Sequence, residues 1–152
     1  MNRAEPQKYF AYGSNMLAQR FQQRVCSVVD QGSAWLDDYA WCCNKLGMDG
    51  TAKANLIDKP GVRVFGVLYM INSNDWPLLD QIEGGYQRLE VDICCAGTVH
   101  KVWTYISTLL TEKAAKATYR DYMLQGAKEH RLPQEYIETV LKSQLALGEW
   151  PG

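Results

Sequence analysis

The chain has 152 residues, 47% of them apolar and 22% charged, with a net charge of -1. This size and composition allow one domain, expected over residues 1–152, to bury its own core without disulfide support. The near-neutral charge gives no reason to expect binding to nucleic acid or to an anionic membrane surface.

The first predicted unit is a strand, a tight turn and a helix. Residues 8–12 are rich in aromatics and are followed by Gly13, which indicates a strand that ends there. Ser14 or Asn15 is expected to be the N-cap of the helix. Apolar residues then recur every four positions, as in an amphipathic helix: Leu17, Phe21 and Val25.

Further strands are predicted in the middle of the chain. Residues 35–43 alternate as a strand does, residues 48–54 are glycine-rich and indicate a loop, and Pro60-Gly61 predicts a turn. Residues 62–71 form a long predicted strand with Gly66 at its centre. A glycine inside a strand suggests a bulge or a close backbone approach.

A short helix is predicted over residues 74–82, with Asn74 or Asp75 as its cap and Pro77 in its first turn. Its apolar stripe should be Leu78, Leu79 and Ile82. Residues 88–96 alternate cleanly, and residues 99–107 are the expected hairpin partner. Helices are predicted over residues 112–127 and from Leu132-Pro133 to about Leu145. Strands that precede late helices favour an α+β fold over a doubly wound α/β fold.

Several catalytic motifs are missing from the sequence, including G-x-S-x-G, H-E-x-x-H, the Walker loop and G-x-G-x-x-G. The two histidines, His100 and His130, lack a recognisable partner and are predicted to be exposed. The five cysteines are odd in number and show no C-x-x-C spacing, so neither a disulfide framework nor a zinc site is expected. We expect no metal and no cofactor.

The opening residues are polar, and no apolar run approaches the ~18 residues of a membrane span. The sequence therefore predicts a cytoplasmic protein with no membrane partner. Monomer and homodimer both remain open.

The first candidate for chemistry is the segment Tyr12-Gly13-Ser14-Asn15. A glycine after a strand lets the backbone approach a ligand, and amides at the start of a helix favour an anion. A substrate carboxylate or a developing oxyanion would suit this place. On these four residues alone, an ordinary capped turn is the favoured interpretation, because such caps are common.

The second candidate is Glu83, which follows an apolar helix and precedes Gly84-Gly85. Apolar neighbours and the negative end of a helix raise the pKa of a carboxyl group, which suits a general acid/base. In isolation, a solvated glutamate would show the same pattern. Tyr86, Tyr105 and Tyr119 can supply rigid walls and hydroxyl donors to a pocket, or simply pack at the edge of the core.

Taken together, these segments resemble the γ-glutamylcyclotransferase family. The similar segments are residues 9–16 (YFAYGSNM), 64–69 (VFGVLY), 79–84 (LDQIEG) and 126–136, which contain GAKE and LPQEY. They follow one another in the family's order across most of the chain. The resemblance implies a single compact domain with a small mixed β-barrel flanked by helices.

The resemblance also implies an activity and a set of site residues. A γ-glutamyl amide or dipeptide would be converted to 5-oxoproline and a free amine without a cofactor. Glu83 would be the acid/base, and the implied substrate-binding residues are Tyr12, Gly13, Ser14, Asn15, Tyr86, Tyr105 and Tyr119. Only Gly84-Gly85 separate Glu83 from Tyr86, which is shorter than in some relatives and leaves the leaving amine undefined.

Two alternatives remain at this stage. The first is another enzyme of the same superfamily, acting on a γ-glutamylamine such as γ-glutamyl-ε-lysine or on a γ-glutamylated antibiotic precursor. The second is a non-catalytic protein that binds a γ-glutamyl group.

Overall fold

A closed β-barrel is the centre of the computed structural model, which describes residues 6–146. Its strands are β1 (Pro6–Ala11), β2 (Val29–Leu46), β3 (Ala52–Asn72), β4 (Gln87–Cys95) and β5 (Thr98–Ile106). The order around the barrel is β1-β3-β2-β4-β5, and the β1–β5 pair that closes it is parallel while the other pairs are antiparallel. The mixed barrel of an α+β fold is therefore confirmed. Residues 1–5 of the polar opening segment and residues 147–152 lie outside the described range.

Short helices flank the barrel. They are α1 (Ala18–Arg24), α2 (Trp76–Ile82), α3 (Ala117–Glu129), α4 (Gln134–Tyr136) and α5 (Lys142–Ala146). Tight turns at Ser14–Met16 and Ser73–Asp75 precede α1 and α2, and a π-helical stretch, Ile137–Leu141, joins α4 to α5. Within residues 6–146, no helix is long and apolar enough to cross a bilayer.

The core fills the barrel and the space under the helices. Phe10 and Phe21 are fully buried, and the Phe21 ring lies 4.7 Å from that of Tyr69. Burial of each such side chain stabilises the fold by roughly 1.5–3 kcal/mol. A Cβ at Gly66 would lie 2.3 Å from the Ala11 carbonyl oxygen, so the predicted close backbone approach is confirmed.

The β2–β3 hairpin is longer than the sequence indicated. Residues 52–54, predicted as loop, already belong to β3, and the predicted turn at Pro60-Gly61 is a bulge within that strand. The Gly61 amide donates to Asp38 Oδ1 at 2.9 Å, and both residues have positive φ. Pairing with β2 resumes on either side of the bulge, so the chain does not turn back there.

Two helix predictions are wrong in detail. The helix predicted from residue 112 begins at Ala117 because residues 109–114 pair with the hairpin instead: the Thr111 amide donates to Asn44 O, and Ala114 O accepts from the Ala52 amide. In α2, Leu78 is 45% exposed and Trp76 is buried in its place.

His130 is the clearest local error of the sequence analysis. Its side chain was predicted to be exposed, but only 5% of it is accessible. Nδ1 lies 2.9 Å from the Gly126 carbonyl oxygen and Nε2 lies 2.5 Å from Asp30 Oδ2. Asp30 is remote in sequence, so local polarity gave no indication of this partner.

Candidate active site

One cavity of about 270 Å³ brings the predicted site residues together. Its walls come from the loop after β1, the first helix, the β2–β3 hairpin, the turn after α2, β5 and α3. Every residue of the predicted site lines it: Tyr12, Gly13, Ser14, Asn15, Glu83, Tyr86, Tyr105 and Tyr119.

The loop after β1 lines this cavity and contains backbone amides without a hydrogen-bond partner among the described residues. No acceptor for the amides of Gly13, Ser14 or Asn15 is found in the part of the chain that the structure describes. A Cβ at Gly13 would lie 3.0 Å from Ala54 Cβ and 3.2 Å from Tyr119 Oη, so the loop packs tightly against its neighbours. Adjacent unpaired amides of this kind can bind a carboxylate or an oxyanion.

The predicted N-cap role of Ser14 or Asn15 is wrong. Both residues lie in the tight turn, and α1 starts only after Leu17, without a side-chain cap. Their side chains are engaged elsewhere, since Ser14 Oγ accepts from Arg20 Nε at 3.2 Å and the Asn15 amide faces Glu83.

Asn15 connects the loop to the carboxylate. Its Nδ2 donates to Glu83 Oε1 at 2.8 Å and to Tyr9 Oη at 3.1 Å, and its Oδ1 accepts from Arg24 Nη1 at 3.2 Å. The primary amide therefore has both hydrogens and its oxygen occupied. The Asn15 side chain holds one carboxylate oxygen of Glu83 in place.

Glu83 occupies the end of α2, where its amide donates to Leu79 O at 2.8 Å. The side chain is only 15% exposed, and burial raises the pKa of its carboxyl group above the ordinary value. Arg24, whose Nη1 lies 3.8 Å from Oε1, opposes this increase in pKa, as does the hydrogen bond from Asn15. A carboxyl group with a raised pKa can both accept and return a proton near neutrality.

The tyrosine hydroxyls around the cavity differ in what they can donate. Tyr12 donates to the Tyr105 carbonyl at 2.6 Å, Tyr86 to the Ala54 carbonyl and Tyr105 to Asp80 Oδ1 at 2.7 Å. These three side chains form walls whose hydroxyl hydrogens are already used.

Two tyrosines keep a hydroxyl hydrogen for a ligand. Tyr119 Oη accepts from the Ala54 amide at 2.8 Å, and Tyr9 Oη accepts from Asn15. No acceptor for either hydroxyl hydrogen is found among residues 6–146. Burial raises the pKa of both groups, so both stay protonated and can donate to a substrate oxygen.

The sequence analysis missed several residues of this site. Tyr9 and four cations also line the cavity: Arg20, Arg24, Lys45 and Lys53. The spacing of Arg20 and Arg24, one helical turn apart directly after the loop, was the signal available for that pair. Lys45 and Lys53 face each other across the β2–β3 register, which the glycine-rich sequence there did not indicate.

These cations make the cavity electropositive. Two acidic residues, Glu83 and Asp49, line the cavity together with these four basic ones. Lys53 pairs with Asp49 at 3.4 Å and Arg24 lies 3.8 Å from Glu83, so the basic groups outnumber the acidic ones. Such a site favours a substrate with net negative charge.

Among the described residues, no group of three or more His, Cys, Asp or Glu side chains is placed to hold a metal ion.

The chain is similar to several known proteins in sequence and in fold. A sequence profile of the AIG2-like family matches residues 63–140. The mouse protein named gamma-glutamylcyclotransferase is 30% identical over 142 residues, which cover 87% of this chain and 76% of that protein; the human protein of the same name is 31% identical with the same coverage. A solved structure titled gamma-glutamyl cyclotransferase aligns with a TM-score of 0.83 at 29% identity, over 91% of this chain and 88% of the other.

Proposed function

The chain belongs to the AIG2-like family, and we propose that it is a γ-glutamylcyclotransferase that converts a γ-glutamyl amide or dipeptide to 5-oxoproline and a free amine. The observation that carries the proposal is the position of Glu83. A largely buried carboxylate with a raised pKa shares one cavity with three adjacent unpaired backbone amides.

The reaction closes a ring within the glutamyl group. The α-amine attacks the γ-carbonyl carbon, a C–N bond forms, and the original amide C–N bond breaks. Glu83 accepts the proton that the α-amine loses and delivers it to the departing nitrogen. The carboxylate ends in its starting state, so one group performs both transfers.

The other residues of the cavity hold the substrate in a bent conformation. The amides of Gly13, Ser14 and Asn15 bind the α-carboxylate of the glutamyl group, and the hydroxyls of Tyr9 and Tyr119 are the donors available to the γ-carbonyl oxygen as it gains charge. Fixing a reactive conformer can be worth up to ~7–11 kcal/mol of the activation barrier in well-oriented systems. The walls formed by Tyr12, Tyr86 and Tyr105 serve this purpose.

The direct test is the formation of 5-oxoproline from γ-glutamyl-alanine, γ-glutamyl-ε-lysine and glutathione by the purified protein. We expect 5-oxoproline from at least one of them in a time-dependent, protein-dependent reaction. If none reacts, binding of 5-oxoproline by calorimetry is the next measurement. Binding without turnover would contradict the enzymatic proposal and leave a γ-glutamyl-binding protein.

The positive charge of Arg24 should influence how kcat/KM depends on pH. Its proximity lowers the pKa of Glu83, which burial raises above 4.5. The carboxylate form is needed as the base, so kcat/KM should fall as the pH is lowered through that pKa. In Arg24→Gln the pKa rises further, and the acidic limb of the kcat/KM profile should move to higher pH.

Arg20→Gln is the matched control for this shift. Arg20 has the weakest of the influences that lower the pKa of Glu83, and its Nε bonds Ser14 rather than the Asn15–Glu83 pair. Its acidic limb should move less than that of Arg24→Gln. An acidic limb that stays in place or moves to lower pH in Arg24→Gln would show that another group controls it.

A further inference from the structure

Trp41 holds the loop after β1 from a position outside the cavity. The residue lies in β2, is 3% exposed and is not one of the residues that line the cavity. Its indole Nε1 donates to the Tyr12 carbonyl oxygen at 2.9 Å, in a buried hydrogen bond. A buried indole N–H needs an acceptor, and the acceptor it has here belongs to the peptide group between Tyr12 and Gly13.

The three peptide groups that carry the unpaired amides are held in two different ways. Two of them have their carbonyls bonded within the tight turn. Gly13 O accepts from the Met16 amide at 3.0 Å, and Ser14 O accepts from the Leu17 amide at 3.3 Å. The third peptide group carries the Gly13 amide and the Tyr12 carbonyl. Its donor is the buried indole N–H rather than an amide of the turn.

This third peptide group has an alternative orientation that is sterically open. In a planar trans peptide the C=O and N–H bonds point in opposite directions, so a carbonyl held on one side fixes the amide on the other. A flip would change the φ of Gly13 by about 180° from its value of -121°, into positive values that glycine adopts freely because it lacks a Cβ. The indole hydrogen bond therefore selects one orientation, in which the Gly13 N–H is directed away from Trp41.

We propose that Trp41 is a positioning residue: by holding the Tyr12 carbonyl, it directs the Gly13 amide to the α-carboxylate of the glutamyl group. The inference rests on the proposed function and adds a residue that contacts neither the substrate nor Glu83. The substrate and the transition state carry the same α-carboxylate, so loss of this contact weakens the binding of both equally. KM should therefore change and kcat should not.

Trp41→Phe tests the proposal because it removes the indole donor and keeps a buried aromatic ring. For the γ-glutamyl substrate that the wild-type protein converts fastest, KM should rise by about 10-fold and kcat should stay within about 2-fold, since one hydrogen bond to a carboxylate is lost. Binding of 5-oxoproline, which retains the α-carboxylate, should weaken by the same factor in calorimetry. Trp35→Phe is the matched control: it makes the same change in β2 at a half-buried tryptophan that does not line the cavity, and both kinetic constants should keep their wild-type values.

Amide chemical shifts distinguish positioning of one peptide group from general support of the fold. In the ¹⁵N-labelled wild-type protein, saturating 5-oxoproline should shift the amide protons of Gly13, Ser14 and Asn15. In Trp41→Phe the response of Gly13 should be lost. Ser14 and Asn15 should still respond, because bonds within the turn hold their peptide groups.

An unchanged KM together with an unchanged Gly13 response in Trp41→Phe would overturn the proposal. An equal loss of response at all three amides would overturn it too, in favour of a general role of Trp41 in packing. If Trp41→Phe does not fold, the wild-type spectrum decides: a Gly13 amide that does not respond to saturating 5-oxoproline overturns the proposal, while turnover by the wild type leaves the cyclotransferase activity established. If the wild-type protein neither forms nor binds 5-oxoproline, the proposed function fails and this inference with it.

Discussion

Glu83→Gln should abolish the formation of 5-oxoproline while leaving the protein folded. Glutamine keeps the size of the side chain and can still accept the hydrogen bond from Asn15 Nδ2, but it cannot accept and return a proton. A positioned acid/base contributes about 10²- to 10⁴-fold to the rate, so kcat should fall at least that far. Because the substrate contacts remain, binding of 5-oxoproline should change little.

The stability of this variant is a second measurement. Burial raises the pKa of Glu83, so the folded state binds the proton more tightly than the unfolded state does. The carboxyl group then stabilises the fold most at low pH, and this contribution is lost as the pH rises through the folded-state pKa. Glutamine is uncharged at every pH, so near neutrality the substitution removes the cost of burying a carboxylate. The melting temperature of Glu83→Gln should therefore equal or exceed that of the wild type.

Glu90→Gln is the control for a glutamate outside the cavity. Glu90 lies on β4 and is exposed, so its neutralisation should change neither kcat nor KM. Near-normal turnover in Glu83→Gln, with the product absent from a protein-free blank, would show that Glu83 is not the acid/base. An inactive Glu83→Gln that also melts far below the wild type would show a structural role instead.

Most residues of the proposed site could be predicted from the sequence, although the individual motifs were weak evidence and their combination was stronger. Tyr12-Gly13-Ser14-Asn15 and Glu83 were each ambiguous alone, and only their order along the chain, shared with a known family, made them a candidate site. Alternation over residues 88–96 predicted the strand β4, and Gly66 predicted the close backbone approach that the fold contains, but the closed barrel was implied only by the resemblance to that family.

What the sequence could not show depends on contacts between distant residues. The burial of Lys45 depends on the turn at Gly84, and the burial of His130 depends on Asp30. The aromatic content of residues 8–12 predicted a strand but not that the Tyr9 hydroxyl would face Asn15. Charged and aromatic side chains follow no local rule for such partners, since their environment is set by pairing across the barrel.

Gly126→Ala is the substitution for which helix propensity and packing predict opposite results. In the interior of α3, alanine should stabilise the helix by about 1 kcal/mol relative to glycine. The Cβ, however, would lie 2.4 Å from the Leu17 nitrogen and 2.5 Å from the Met16 carbonyl carbon. These are backbone atoms, which cannot rotate away, so we expect packing to prevail and the free energy of unfolding to fall by roughly 1–3 kcal/mol in urea denaturation.

Gln125→Ala is the matched control because Gln125 is the exposed neighbour in the same helix. It should leave the free energy of unfolding within about 0.5 kcal/mol of the wild type, as is usual for surface substitutions. A Gly126→Ala variant that is more stable than the wild type would mean that α3 can move away from the loop at little cost.

The activity of Gly126→Ala then shows what the contact does for the site. α3 is fastened to the start of α1 by Glu129, whose Oε2 accepts from the Ala18 amide at 3.0 Å, so the helix cannot retreat from Met16 without pulling on the residues that follow the loop. A shift of the loop moves the unpaired amides and the Asn15 side chain that holds Glu83. We therefore expect kcat/KM for 5-oxoproline formation to fall by at least 10-fold under conditions where the variant is fully folded, because a misplacement of about 1 Å can cost 10²-fold. Full activity in a destabilised Gly126→Ala would separate the loss of stability from the loss of activity. It would show that the loop keeps its geometry without close packing against α3.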